Sequence, residues 1–374
     1  KINLLYLLII ISILPIVSIF RIGTYESGDL SLHTQRLMSF YNLLFNHHLI
    51  PRWTPEFNAG YGDPHFLFAY FLPYLNGSIL HHIGLSFLMS IKILLATSFI
   101  SSGIAMYFWA KNELGEKAGF VAAIFYLFMP YHLIDMHFRV SIAENLSFVF
   151  LPFILLGVKK VIEDNNKKWF FLLSISTALL ILSHQAISLM FLPIMLAYGL
   201  FAWIRSRKKI KSLTYAFIPI LFGFLISSFY WFPIVFLARF TQQGFNPNPI
   251  SFPQFSELLY SPWRFGLLFQ GHKGELSYLI GYTQLFVLVS SIYLVFKNRV
   301  NKEMGHLLIF FLTVSGILFF MITPLSNSIW EMPFLSYSQF STRLLVILSL
   351  CISILAEIIV IKINKKWFFA AICF

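Results

Sequence analysis

Charge is scarce in this chain. Asp, Glu, Lys and Arg make up 11% of its 374 residues, where a soluble domain carries roughly 25%. That shortage excludes an ordinary soluble domain. Cysteine is nearly absent: Cys351 and Cys373 are the two, and both sit in apolar segments, so no disulfide framework is implied. Acids are scarcer than bases, 15 against 27, for a net charge of +12. No nucleophile elbow surrounds Ser183, which excludes a serine hydrolase of that kind. No convincing internal repeat of the sort that builds many transporters is visible. No small-residue cleavage site follows the first apolar run, so that run reads as a retained span.

What is present is apolar length. Hydrophobic residues reach 58%, with 44 Phe and 8 Trp, and the mean hydropathy is +0.77. About 20 apolar residues cross a bilayer core as a helix. Candidate spans are 3–20, 86–110, 118–133, 146–162, 169–183, 187–204, 213–236, 278–296, 304–322 and 343–361, with an eleventh starting at Trp367. The expectation is an all-α, polytopic integral membrane protein of about 10–11 transmembrane helices, forming one domain over 1–374. Lys1 is not a Met, and Phe374 ends inside an apolar run, so a fragment of a longer protein is expected.

The basic residues orient it. Most cluster at 1, 111–117, 159–168, 205–211, 297–302 and 362–366, and these loops fall on one side if 64–84 does not cross. The positive-inside rule then puts the N-terminus in the cytoplasm of a multi-pass cell-membrane protein. It also explains the positive excess without nucleic acid. The other loops, 21–85, 134–145, 237–277 and 323–342, with a short turn at 183–185, become external. The first is large enough to hold an amphipathic helix and a re-entrant one. Loops held on a rigid scaffold are where chemistry usually sits.

Within the first loop, Leu30, Leu37, Tyr41, Leu44 and Phe45 predict an apolar helical stripe. Asp29, His33 and Arg36, at i, i+4 and i+7, fall on the opposite face. Asp29 suits either an N-cap or a carboxylate that deprotonates an acceptor hydroxyl. Arg52, in Pro51-Arg52-Trp53, suits an interfacial anchor or a phosphate ligand. Asp63, in Gly60-Tyr61-Gly62-Asp63-Pro64, suits a turn. In the second loop, Asp135 and Arg139 can pair as i, i+4, while Asp135, His137 and Glu144 are a weak divalent-metal set. His184, between Ser183 and Gln185, is placed at a helical hairpin lining a pocket. Phe229 to Pro233 read as an aromatic belt. Glu257, Arg264 and His272 lie in the loop at 237–277. Arg343, at the mouth of the tenth span, suits a lipid phosphate or snorkelling to headgroups.

Taken together, Gly28-Asp29, His33, Arg36, Pro51-Arg52-Trp53, the Gly60–Pro64 turn, Pro130-Tyr131, Arg139, Ala143-Glu144, Ser183-His184-Gln185, Tyr230-Trp231-Phe232-Pro233 and Gln339-Phe340 before Arg343 resemble a family of polytopic membrane proteins. It is labelled 6-pyruvoyl-tetrahydropterin synthase-related. The chain lacks the zinc-binding histidine set of the soluble pterin synthase. That family in turn resembles GT-C glycosyltransferases, such as protein O-mannosyltransferases, aminoarabinose transferases and the catalytic subunit of oligosaccharyltransferase. The resemblance implies a GT-C-like fold and a polyprenyl-phosphate-sugar donor, with membrane lipids around it. It implies transfer to an acceptor on the external face, with Asp29 as catalytic base. A second acid would be Asp135 or Glu144, and Arg343 would contact the donor phosphate with Arg36 or Arg52. His33, Arg139 and His184 join the expected substrate-binding set. The one departure follows Pro233, where the resemblance implies a glutamate and this chain has Leu237-Ala238-Arg239. A non-catalytic scaffold and a lipid or solute transporter are the rival readings.

Overall fold

In lipid every backbone polar group needs an internal partner, so a chain this apolar is driven to helices. The structure is a computed structural model that describes residues 3–46, 49–164, 166–241, 250–260, 278–297, 300–332, 335 and 338–362. Among the described residues there is no strand, only isolated bridges at Thr54–Asp63 and Ser251–Phe340. Helices α1 to α12 are Leu4–Ile16, Leu30–Phe45, His65–Phe68, Phe71–His82, Phe87–Leu114, Glu116–Leu127, Pro130–Ile134, Ile142–Asp164, Lys167–Ser183, Gln185–Ser206, Ile210–Ile226 and Ser228–Leu237. Helices Tyr282–Phe296, Lys302–Ile322 and Leu344–Lys362 follow.

All ten expected apolar segments are helical. Among the described residues five helices are long and apolar enough to cross a membrane, or seven if two bent pairs each count once. Leu4–Phe20 and Tyr282–Phe296 are shorter, as is α9 with 17 residues. The segment from Trp367 lies outside the described residues.

Two expected spans are broken. The one at 118–133 bends by 49° between α6 and the Pro130–Arg139 segment, and the one at 213–236 bends by 69° between α11 and α12. Pro130 starts α7, a position where its missing N–H leaves no helical bond unmade. Elsewhere local caps set the boundaries. The Ser86 hydroxyl accepts from Met89 N at the start of α5, and the Asn301 side chain accepts from Met304 N, each satisfying one orphan donor.

Leu344–Lys362 is the central element, nearly all of it buried, packed against α6 and Lys302–Ile322. Around it, α5 packs on α6 and α8, and α9 on α8 and α11. The starts of α8, α10 and Leu344–Lys362 share one end of the bundle, where Glu144, His184 and Arg343 meet. The ends of α5, α8 and α10 share the other, where Glu113, Lys159 and Arg205 meet.

The described parts of the expected loops accordingly gather at the first end. Asp29 N donates to Arg139 O at 2.9 Å, Gln185 Nε2 to Phe68 O at 2.6 Å, and Ser251 N to Gln339 O at 3.0 Å. The first loop packs through α2 and α4 against α5. Chain 51–64 folds back on itself, with Thr54 N donating to Asp63 O at 2.8 Å. Gly62 has φ +86°, and a Cβ there would lie 2.6 Å from the Trp53 indole.

Candidate functional site: a glutamate ringed by arginines

Arg139 ends a short π-helical turn, Asp135–Arg139. The next residue, Val140, is buried and left-handed at φ 57°. A β-branched residue in that region is rare and strained, so the surrounding structure dictates this turn. Its effect is to aim Arg139 at two buried carboxylates. Arg139 Nη1 donates to Asp135 Oδ1 at 2.5 Å and to Glu144 Oε2 at 3.1 Å, and Nη2 donates to Glu144 Oε1 at 3.0 Å. Tyr131 closes the group. Its hydroxyl accepts from Arg139 Nη1 at 2.7 Å and donates to Glu144 Oε2 at 2.8 Å.

Glu144, in the first turn of α8, is 1% exposed. Arg343 reaches it from the start of the central helix, with Nε 3.5 Å from Glu144 Oε1. The Arg343 fork is held from behind. Nη1 donates to Ser338 O at 2.5 Å and Nη2 to Gln339 Oε1 at 3.2 Å. His184 caps α10 by accepting from Ile187 N through Nδ1, which leaves the proton on Nε2, 4.0 Å from Glu144 Oε1. Arg343 Nε, His184 Nε2 and Asp135 Oδ2 are buried without a hydrogen-bond partner. Buried polar atoms are nearly always partnered. Two unpartnered donors beside one carboxylate are the arrangement an anionic oxygen completes.

The first loop docks onto the same turn. Gly28 N donates to Phe138 O at 2.7 Å, and a Cβ on Gly28 would sit 3.2 Å from Arg139 O. This close approach explains glycine before Asp29. Asp29 stands at the N-cap position of α2 yet makes no side-chain cap bond; Ser27 Oγ accepts from Leu30 N instead. Capping therefore does not account for the Asp29 carboxylate. It is half-buried, and burial raises its pKa against the opposing pull of Arg139 and Arg36.

His33 departs from expectation. It lies on the buried face of α2 with Leu30, Leu37 and Phe40 rather than on the face opposite the apolar stripe. The face turns toward Tyr74, whose hydroxyl is 2.8 Å from His33 Nδ1. Burial, then Arg36, pushes the His33 pKa down to about 3, so it is neutral at physiological pH. Arg36 is half-buried on the same helix. Arg52 stands apart from the cluster and donates to Phe229 O at 3.1 Å, beside the α11–α12 bend.

The metal set does not assemble. Among the described residues no group of three or more His, Cys, Asp or Glu is placed to hold a metal ion. Arg139 engages Asp135 and Glu144 together, so these donors fit an arginine rather than a metal ion. Glu257 completes a capping box with Gln254. Arg264 and His272 lie outside the described residues.

The sequence assigned no site role to three tyrosines. Tyr131 belongs to the cluster. The Tyr70 ring lies tilted beside His184, ring centroids 4.7 Å apart. Tyr230, expected in an aromatic belt, is 3% exposed and donates to Ala69 O at 2.9 Å and Gln185 Oε1 at 3.1 Å. It stitches the first loop to α10 and α12.

The fold has solved counterparts. ArnT from Cupriavidus metallidurans, solved bound to undecaprenyl phosphate, aligns over 98% of this chain and 61% of its own, with a TM-score of 0.58 and 9% identity. The archaeal oligosaccharyltransferase AglB from Archaeoglobus fulgidus, solved with an inhibitory peptide and a dolichol-phosphate, aligns over 98% and 51%, with a TM-score of 0.53 and 12% identity. The architecture is thus that of GT-C glycosyltransferases, and the chain spans about half to three-fifths of their length. An uncharacterized Lactococcus lactis subsp. cremoris protein is 24% identical over 237 residues, 61% of this chain and 39% of its own. The family described as "6-pyruvoyl-tetrahydropterin synthase related domain; membrane protein" matches residues 68–372, which take in α4 to α12, the Glu144 cluster and the central helix. The chain belongs to that family of membrane proteins.

Proposed function

We propose that this protein is a membrane glycosyltransferase that moves a sugar from a polyprenyl-phosphate donor to an acceptor on the extracytoplasmic face. The observation that carries the reading is the pair of buried, unpartnered donors on Arg343 and His184, close to a loop that holds Asp29 by its backbone to Arg139. The arginine takes the donor's phosphate. Asp29 accepts the proton of the acceptor hydroxyl. The acceptor oxygen bonds to the sugar's anomeric carbon as the bond from that carbon to the phosphate oxygen breaks. The polyprenyl phosphate leaves carrying the negative charge, which Arg343 stabilises. A raised Asp29 pKa suits a base better than an ordinary aspartate. The GT-C architecture supports the reading, as do the undecaprenyl phosphate and dolichol-phosphate bound in two structures of similar fold.

Transport is the second reading, and the two bent helix pairs favour it, since discontinuous helices line many transporter sites. One experiment separates the two. The full-length protein in proteoliposomes is given undecaprenyl-phosphate-linked hexose, and both transfer to added acceptors and movement of the lipid across the bilayer are followed. Transfer falling about 100-fold or more in Asp29→Asn, with lipid distribution unchanged, is the expected result. Lipid movement without transfer contradicts the proposal.

A further inference from the structure

A second feature lies at the loop end of the bundle. Between the segment entering the central helix and the chain after Ile250 is a cleft of about 300 Å³, lined chiefly by Ser251, Phe252, Gln254, Glu257, Tyr278 and Thr342. Its walls are tied together. Ser341 N and Oγ both donate to Ser251 O at 3.2 Å, and Ser341 Oγ also donates to Ile322 O at 2.9 Å. Ile280 N donates to Leu258 O at 3.0 Å, joining the Tyr278 side to the short helix Phe255–Leu259. The Gln254–Glu257 capping box fixes that helix's first turn and engages one Glu257 oxygen, Oε2.

Thr342 is the telling residue. It is 4% exposed and lines the cleft, yet its hydroxyl bonds to nothing among the described residues. Neighbouring Ser341, equally buried, directs its hydroxyl to two carbonyls. A hydroxyl that faces a cleft is available to a ligand's own hydroxyl. Thr342 also immediately precedes Arg343, so whatever it holds lies next to the Glu144 cluster. Tyr278 is within electrostatic reach of Arg139 and Glu144 as well.

The lining selects a chemistry. Among the described lining residues there is no lysine or arginine. Hydroxyl, amide and carboxylate groups make it too polar for a lipid chain. It does offer two aromatic rings, whose faces take C–H groups, and short polar side chains that take hydroxyls. We propose that this cleft is a carbohydrate subsite that seats a neutral, hydroxyl-rich pyranoside beside the Glu144 cluster. The inference rests on the transferase reading for its purpose, and on the cleft alone for its chemistry. The pyranoside is either the end of the acceptor or the sugar carried by the donor.

The test uses the full chain in lipid nanodiscs. Saturation-transfer NMR is recorded with methyl glucoside, methyl mannoside and methyl N-acetylglucosaminide at millimolar concentration. Undecaprenyl phosphate binding is measured in parallel by native mass spectrometry. The expected result is saturation of ring protons in at least one glycoside. Thr342→Val and Glu257→Gln, which preserve shape and cap, should each weaken it about three- to tenfold, with undecaprenyl phosphate binding and melting temperature unchanged. Tyr278→Ala should weaken it further. If no glycoside is saturated, or if all three variants bind as wild type, the subsite is overturned. Glycoside binding without undecaprenyl phosphate binding supports the subsite and removes the proposed donor instead. Adding undecaprenyl-phosphate-linked hexose identifies the source: displacement assigns the cleft to the donor's sugar, and persistence assigns it to the acceptor.

Discussion

Glu144 and Glu113 are both buried glutamates that face two cations, at opposite ends of the same bundle. Glu113 is engaged on both oxygens. Lys159 lies 3.0 Å and Arg205 3.2 Å away, the Tyr198 hydroxyl donates at 2.6 Å, and Trp109 Nε1 donates to that hydroxyl at 3.1 Å. No atom of these five residues is left buried and unpartnered. Around Glu144, by contrast, Arg343 Nε, His184 Nε2 and Asp135 Oδ2 remain unpartnered. A closed network of this kind holds helices in register. One with open valences on a fixed frame is prepared for something else. The comparison teaches that burial and charge alone do not mark a site; unmet donors on arginine and histidine beside a shared carboxylate set the Glu144 end apart.

The largest way to break the comparison is Arg139→Ala. It strands Asp135 and Glu144, both buried, without their shared cation. Breaking a buried pair costs about 3–5 kcal/mol, so the expected outcome is loss of folded protein after detergent extraction, read by size-exclusion yield and melting temperature. Glu113→Gln should cost less, because Lys159 and Arg205 keep 12% and 24% of their side-chain surface in contact with solvent. Equal losses would erase the distinction between the ends.

A smaller effect separates them by pH. His33 is held neutral, with a pKa near 3 in the fold against roughly 6.5 unfolded. A lowered pKa means the stabilising neutral form is fully favoured above 6.5, and that stability is lost as pH falls from 6.5 toward 3. Melting temperature should therefore drop across this window, and His33→Gln should flatten the drop. Asp29 has the opposite sign. Its raised pKa makes its ionisation a burden as pH rises, so Asp29→Asn should raise the melting temperature slightly at pH 7 while removing transfer.

The smallest expected effect is at Glu357, near the C-terminal end of the central helix. It is buried with neither carboxyl oxygen bonded. Glu357→Leu removes an unpartnered buried polar group, worth about 1–3 kcal/mol, and should raise the melting temperature by a few degrees without changing transfer. A fall would show that Glu357 has a partner.

Much of the fold was legible because lipid imposes one rule on backbone polar groups. The ten apolar runs are helices, and the described parts of the loops expected on one side do meet at one end. The breaks at Phe128 and Ser227 were not legible, since short apolar runs read the same whether straight or bent. Asp135, Arg139, Glu144, His184 and Arg343 stood out because an ionisable residue is rare in so apolar a chain, and the structure brings all five together. Tyr70, Tyr131 and Tyr230 gave no such signal, because aromatics make up 18% of the chain and their hydroxyl partners are distant in sequence. Arg52 carried a signal, but its partner is a carbonyl 177 residues away. Nor could the pattern place the cleft, whose lining includes Thr342 and not Asp29.

The central claim is that the open valences around Glu144 receive a lipid phosphate. Undecaprenyl phosphate binding to the full chain, measured by native mass spectrometry for wild type, Arg343→Lys and Arg205→Lys, tests it most directly. Replacing the planar fork by an ammonium should weaken binding about tenfold or more at Arg343, and leave it unchanged at Arg205. Equal affinity in all three proteins, or a loss at Arg205 alone, would contradict the account.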